Sequence, residues 1–284
     1  MIKCIAIDMD GTLLNSSLKI SEENISAIKK AQRSGIEVVI TTGRSFPEAI
    51  NLLDAAGIKC SCICVNGAEV RNAEQEVTKI RPLEKDTARQ VQQYLQSEYM
   101  YYEFFTNKGT YTVNMDEGVS VFENLANRSE HDNEIKMMKK HLKERLEFLK
   151  TLDSFELIYD GDEYHIYKLL AFTMDESTLE RAREFLRKID GIAVSSSGFN
   201  NVEVNSSKST KGIALEDFVK EKGISLMETM AIGDNYNDLS MFERVGRSVA
   251  MGNADDEIKA QCDEVTLTNE ESGVANAILA VLEK

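Results

Sequence analysis

Short apolar runs broken by polar turn residues organise the first third of the chain. Residues 2–7 are apolar apart from Lys3 and stop at Asp8-Met9-Asp10-Gly11, which predicts a strand buried on both faces. Ser21 predicts a helix cap, with Ile25 and Ile28 on one helix face and Gly35 as the stop. Residues 36–40 read as a second strand. Ser45 then opens another helix, in which Pro47 suits the first turn, Glu48 completes a capping box and Gly57 ends the run. A third strand over 60–65 stops at Asn66-Gly67. Single helices between short strands imply right-handed crossovers and a parallel sheet.

The last third repeats this order. Thr210 predicts the cap of a helix from Lys211 to about Lys222, closed by Gly223. A strand over 227–232 stops at Gly233-Asp234. A short helix over 238–245, a strand over 248–251 and an apolar-striped helix over 272–282 follow. The middle is different. It predicts helices over 86–95, 134–152 and 177–189, a strand pair over 101–106 and 110–114, a strand over 164–173 and a hairpin from 192–195 and 202–205. Eight of the nine tyrosines fall here, Tyr236 being the exception. Residues 83–205 are therefore predicted to form an inserted domain between core segments 1–82 and 206–284. The charged stretch 136–150 reads as a solvated helix face. Tyr101, Tyr102, Phe104 and Phe105 read as strand packing ahead of a substrate pocket.

Length and charge narrow the function. A chain of 284 residues favours two domains. No apolar run approaches the ~20 residues that span a bilayer, and the opening run is too short for a signal peptide, so a cytoplasmic protein is expected. The formal net charge of −15 is dispersed and repels phosphate backbones and anionic lipid, which disfavours nucleic-acid and membrane partners. Any phosphate site must then be made locally positive by a metal, a lysine or backbone N–H groups. Five cysteines argue against a disulfide framework, and the alternation of Cys60, Cys62 and Cys64 predicts one buried strand face ahead of a metal site. The three histidines, His131, His141 and His165, lie mid-chain, away from the motifs, which points to carboxylate chemistry.

Two carboxylates, Asp8 and Asp10, end a buried strand, at the sheet edge where open α/β sheets bind ligands. The run Gly233-Asp234-Asn235-Tyr236-Asn237-Asp238 ends another. With Asp8 it offers hard oxygen ligands suited to magnesium. Thr41-Thr42-Gly43-Arg44 follows the second strand, and Lys211 sits unfavourably at a helix N-terminus. Singly, each also fits an ordinary turn or a solvated side chain.

Together with Asn66-Gly67-Ala68 and Ala250-Met251-Gly252-Asn253-Ala254, these motifs resemble, in order and over nearly the whole chain, the haloacid dehalogenase-like hydrolases, and within them the Cof-type phosphatases. The resemblance implies a Rossmann-like α/β core with an inserted α+β cap of the C2 type. It implies a magnesium-dependent phosphatase of a small phosphorylated metabolite, a sugar phosphate or a phosphorylated cofactor, working through an aspartyl-phosphate. Asp8 is then nucleophile and metal ligand. Asp10 is the general acid/base and lends the metal its backbone carbonyl. Asp234 is a metal ligand, and Met9, Thr42, Gly43, Lys211 and Asn237 bind phosphate. Asp238 supports the metal shell or orients Lys211. Asp at position 10 favours a phosphatase or mutase over a dehalogenase or ion pump, and the late insertion favours the phosphatase. The alternatives are a non-enzymatic phospho-metabolite sensor that retains the site, and a phospho-acceptor domain, which leaves Asp10 and the insertion unexplained.

Overall fold

The computed structural model describes residues 1–126, 146–197 and 200–283. His131 and His141, the part of the predicted 134–152 helix up to 145, and most of the charged 136–150 stretch lie outside the described residues. The chain divides into two compact units, one of Met1–Ile80 with the segment from Ser209 onward, the other of Arg81–Lys208.

The first unit is an α/β layer around a sheet that, among the described residues, has eight strands. These are β1 (Cys4–Asp8), β2 (Glu37–Thr41), β3 (Ser61–Cys64), β4 (Glu69–Arg71), β5 (Val77–Ile80), β12 (Thr229–Gly233), β13 (Arg247–Ala250) and β14 (Glu264–Val265), in the order β14-β13-β12-β1-β2-β3-β4-β5. From β14 to β3 every pairing is parallel, and β4 and β5 add an antiparallel edge. Chain order runs outward in both directions from β1, so its carboxyl end is a topological switch point, where ligands of such sheets bind. Register makes this concrete: Ile7 pairs with Ile232 and Asp8 with Thr41, which levels the ends of β12, β1 and β2.

Every residue of β1 is buried because helices cover both faces. Cys4, Ala6, Val39, Ile63 and Ala231 pack on one side with Leu215, Phe218 and Met241. On the other, the helix Glu22–Arg33, capped by Ser21, packs beside Gly273–Leu282. Between them Asn24 is fully buried, its Oδ1 accepting from Ala275 N at 2.9 Å. Removing a fully buried side chain such as Ile7 by truncation to Ala costs about 2–5 kcal/mol. Cys60, Cys62 and Cys64 are buried, as the strand pattern implies, and contribute to no metal-ligand cluster among the described residues.

The second unit holds a sheet that, among the described residues, has six strands. They are β6 (Tyr101–Thr106), β7 (Gly109–Thr112), β8 (Leu149–Thr151), β9 (Ile166–Phe172), β10 (Ile192–Ser195) and β11 (Asn201–Ser206), ordered β10-β11-β9-β6-β7-β8. One face packs Phe104, Leu169, Ala171, Val202 and Val204 against the helices Lys85–Ser97 and Glu176–Leu186, with Phe104 stacked on Phe155 at 4.2 Å. Side chains of opposite parity carry a buried ion pair, Lys168 Nζ to Glu203 Oε1 at 3.0 Å.

The α/β class with a parallel-sheet core is borne out. Several boundaries are corrected. Residues 149–151, predicted helical, form β8, which pairs parallel to β7. Residues 226–228 form a 3-10 turn ahead of β12 because the Ser225 side chain accepts from Met227 N. The helix predicted over 238–245 is Leu239–Phe242. Among the described residues no helix is long and apolar enough to cross a membrane.

Candidate active site

The site is assembled where β1, β2 and β12 end. Lys211 opens the helix Lys211–Glu221, whose cap Thr210 accepts from Ile213 N at 3.2 Å. An ammonium at a helix N-terminus opposes the helix dipole. Here two carboxylates outweigh that: the buried Lys211 Nζ donates to Asp8 Oδ1 and to Asp238 Oδ1, each at 2.6 Å. The other Asp238 oxygen accepts from the backbone N–H of Asp234 and Asn235, both at 3.0 Å, and so shapes the turn after β12. Thr12 Oγ1 donates to Asp234 Oδ1 at 2.8 Å. Gly11, at φ +76°, lets the first loop close on that carboxylate, since a Cβ there would lie 2.3 Å from Asp234 Oδ2.

Ligand atoms of Asp8, Asp234 and Asp238 lie within 4.8 Å of one another. Three carboxylates against one ammonium leave excess negative charge in a buried place. Burial, then repulsion from Asp238, pushes the Asp8 carboxyl well above the ordinary carboxylate range despite Lys211. The same causes push Asp234 up to about 7, partly opposed by the Thr12 hydrogen bond. Burial alone would lower the Lys211 ammonium, but Asp238 and Asp8 together hold it above its usual value. A hard dication relieves this imbalance, and an all-oxygen set suits magnesium. Both Asp238 oxygens are engaged by Lys211 and the turn, so Asp8 and Asp234 are the candidates for direct ligation.

The remaining predicted residues distribute as follows. The Asp10 carboxylate, half exposed, turns to Arg44, whose Nε and Nη2 donate at 2.8 and 2.6 Å, and it is not among the three carboxylates whose ligand atoms cluster within 4.8 Å. The Met9 side chain is buried, which leaves only its backbone for a ligand. Thr42 is buried and its Oγ1 accepts from Arg44 N at 3.1 Å, so the hydroxyl hydrogen remains to donate. Gly43 lies between them. Asn237 Nδ2 donates to Asn66 Oδ1 at 3.2 Å, while its buried Oδ1 has no protein partner. Lys211, expected on phosphate, bridges Asp8 and Asp238, which is one of the two roles expected of Asp238.

Sequence reasoning gave Thr12, Asn66 and Arg44 no role of their own, although Asn66 and Arg44 stand in its motifs. The signal for Arg44 was available: a cation follows directly on Thr42-Gly43 in a region that gathers four carboxylates. Thr12 carried no signal beyond its position in a strand-end run, and Asn66 none beyond its place in the Asn66-Gly67-Ala68 motif.

A family model described as haloacid dehalogenase-like hydrolase matches residues 5–278. Phosphatase YwpJ of Bacillus subtilis is 36% identical over 285 residues, covering 99% of this chain and 100% of its own. The 5-amino-6-(5-phospho-D-ribitylamino)uracil phosphatase YwtE of the same organism is 36% identical over 280 residues, 96% of each chain. A solved structure of a haloacid dehalogenase-like hydrolase from B. subtilis matches with a TM-score of 0.90 at 36% identity, covering 98% of this chain and 99% of that one.

Proposed function

The chain belongs to the haloacid dehalogenase-like hydrolase family, and from that premise we propose that it is a magnesium-dependent cytoplasmic phosphatase of a small phosphorylated metabolite, with Asp8 as nucleophile. One observation carries the reading: Asp8, Asp234, Asp238 and Lys211, drawn from three distant segments, converge at the switch point of the sheet. Asp8 and Asp234 would hold the ion with the Asp10 backbone carbonyl, and the ion would offset the repulsion between a carboxylate and a phosphate dianion.

The chain's own residues do the rest. An Asp8 oxygen attacks phosphorus, and the bond from phosphorus to the ester oxygen breaks as the new one forms. Asp10 gives a proton to the departing oxygen, which is otherwise a poor leaving group. Thr42, Gly43, Lys211, Asn237 and the Met9 backbone hold the phosphoryl oxygens. Water then attacks phosphorus and loses a proton to Asp10, the Asp8–phosphorus bond breaks, and inorganic phosphate leaves with Asp8 restored. The unit Arg81–Lys208 acts as the cap that selects the alcohol. The name of the 36%-identical relative YwtE supports a phosphate on a primary alcohol of a polyhydroxylated metabolite.

A panel of sugar phosphates, phosphorylated cofactors, the ribitylaminouracil phosphate and p-nitrophenyl phosphate tests this. Phosphate release with magnesium, its loss with chelator and its absence in Asp8→Asn are expected. No release from any ester would favour a sensor, and full activity of Asp8→Asn would remove the covalent mechanism.

A further inference from the structure

Four carboxylates gather around this site; two cations hold three of them, and Thr12 donates to the fourth, Asp234. Lys211 grips Asp8 and Asp238, while Arg44 grips Asp10. The second contact is a fork: Nε to Oδ2 at 2.8 Å and Nη2 to Oδ1 at 2.6 Å, two near-parallel bonds that fix the plane of the carboxylate as well as its position. Asp10 needs such a hold. Its side chain is 51% exposed, so packing holds it less firmly than it would a buried carboxylate.

Arg44 is itself anchored. Its N–H donates to Thr42 Oγ1 at 3.1 Å, and its carbonyl accepts from Val65 N at 2.9 Å. The guanidinium thus projects from a backbone tied to the ends of both β2 and β3. Its side chain, 21% exposed, is less than half as exposed as that of Asp10.

We propose that Arg44 is the positioning residue for the acid/base, an inference that rests on the phosphatase reading above. It has two effects. It aims the Asp10 carboxyl: one oxygen stays on the guanidinium while the other turns to the ester oxygen. It also competes for a hard ligand only two residues along from Asp8, which keeps the Asp10 side chain off the cation and available for proton transfer. Exposed ion pairs add little to stability, so Arg44→Ala is expected to fold with an unfolding midpoint near that of the wild type.

The test separates leaving groups. A proton is needed by an alkoxide and hardly by p-nitrophenolate, and kcat/KM reports the steps through departure of the leaving group. In Arg44→Ala, kcat/KM for the best alkyl phosphate of the panel should fall about 10–100-fold, and for p-nitrophenyl phosphate less than about threefold. Arg44→Lys, a point charge without a fork, should fall between. Asp10→Asn should show the same selectivity, and the double variant should be no worse than Asp10→Asn alone. Equal losses on both esters, or losses that multiply in the double variant, would overturn the proposal and make Arg44 a phosphate or structural residue. A wild-type protein that releases no phosphate would instead overturn the phosphatase reading beneath it.

Discussion

Replacing Lys211 by Met keeps most of the side-chain volume and removes the charge, which isolates the electrostatic role of the ammonium. Lys211 is 1% exposed and bonded to two carboxylates at 2.6 Å. Removing one partner of a buried ion pair costs about 3–5 kcal/mol, because the other partner remains buried and unpaired. The loss should vary with pH. Asp8 is held well above its ordinary value of 3.8 in the fold, so it takes up a proton on folding and weakens the fold as pH rises above that value. Lys211 limits this by favouring the ionised form. Its removal raises Asp8 further, and each additional proton taken up steepens the dependence by about 1.4 kcal/mol per pH unit. The deficit of Lys211→Met should thus be larger at pH 7.5 than at pH 5. Guanidinium unfolding of both proteins in chelator, at the two pH values, measures it. A deficit below about 1 kcal/mol, the size of an exposed pair, or one independent of pH, would refute the reasoning.

Thr12→Val removes the hydroxyl that orients Asp234, and calorimetry should show magnesium bound about 10–100-fold more weakly; unchanged affinity would contradict the role given to Thr12. In Gly212→Ala the new Cβ would stand 1.8 Å from the Ser240 carbonyl oxygen, so the helix that carries Lys211 must shift; a loss of about 1–3 kcal/mol or more in denaturant is expected, and wild-type stability would contradict the close contact. Burial, and then Glu37, pushes the Cys4 thiol up to about 12 from 9.0. The folded chain keeps that proton where the unfolded chain loses it, so between those values stability falls with rising pH by about 1.4 kcal/mol per unit from this group. Cys4→Ala should flatten the alkaline slope by that amount, and an unchanged slope would place the thiol elsewhere.

The strand ends were the most legible part of the sequence. An apolar run that stops at Asp8, and another that stops at Gly233-Asp234, mark a sheet edge in any order of strands, and the caps Ser21, Ser45 and Thr210 fix where helices begin. The edge strands β4 and β5 were not legible. They are three and four residues long, too short to show a period, and β5 has no buried residue. Residues 149–151 follow a helix-like charged stretch, and only their pairing with β7 makes them a strand. The pairing of Lys168 with Glu203 is likewise long-range and carries no local pattern. The candidate site divides the same way. Asp8, Asp234 and Lys211 announce themselves as charges at element ends. The choice between a phosphate and two carboxylates as partner of Lys211, and the grip of Arg44 on Asp10, are set by side-chain geometry across distant segments.

Chemical trapping of the phospho-enzyme tests the central claim most directly. Rapid quench of the enzyme with magnesium and its best ester, followed by borohydride reduction, converts an acyl phosphate to an alcohol, and peptide mass spectrometry places it. Reduction confined to residue 8 is expected, absent without substrate and absent in Asp8→Asn. Turnover with no modification at residue 8, or with the label on another carboxylate, would contradict nucleophilic attack by Asp8.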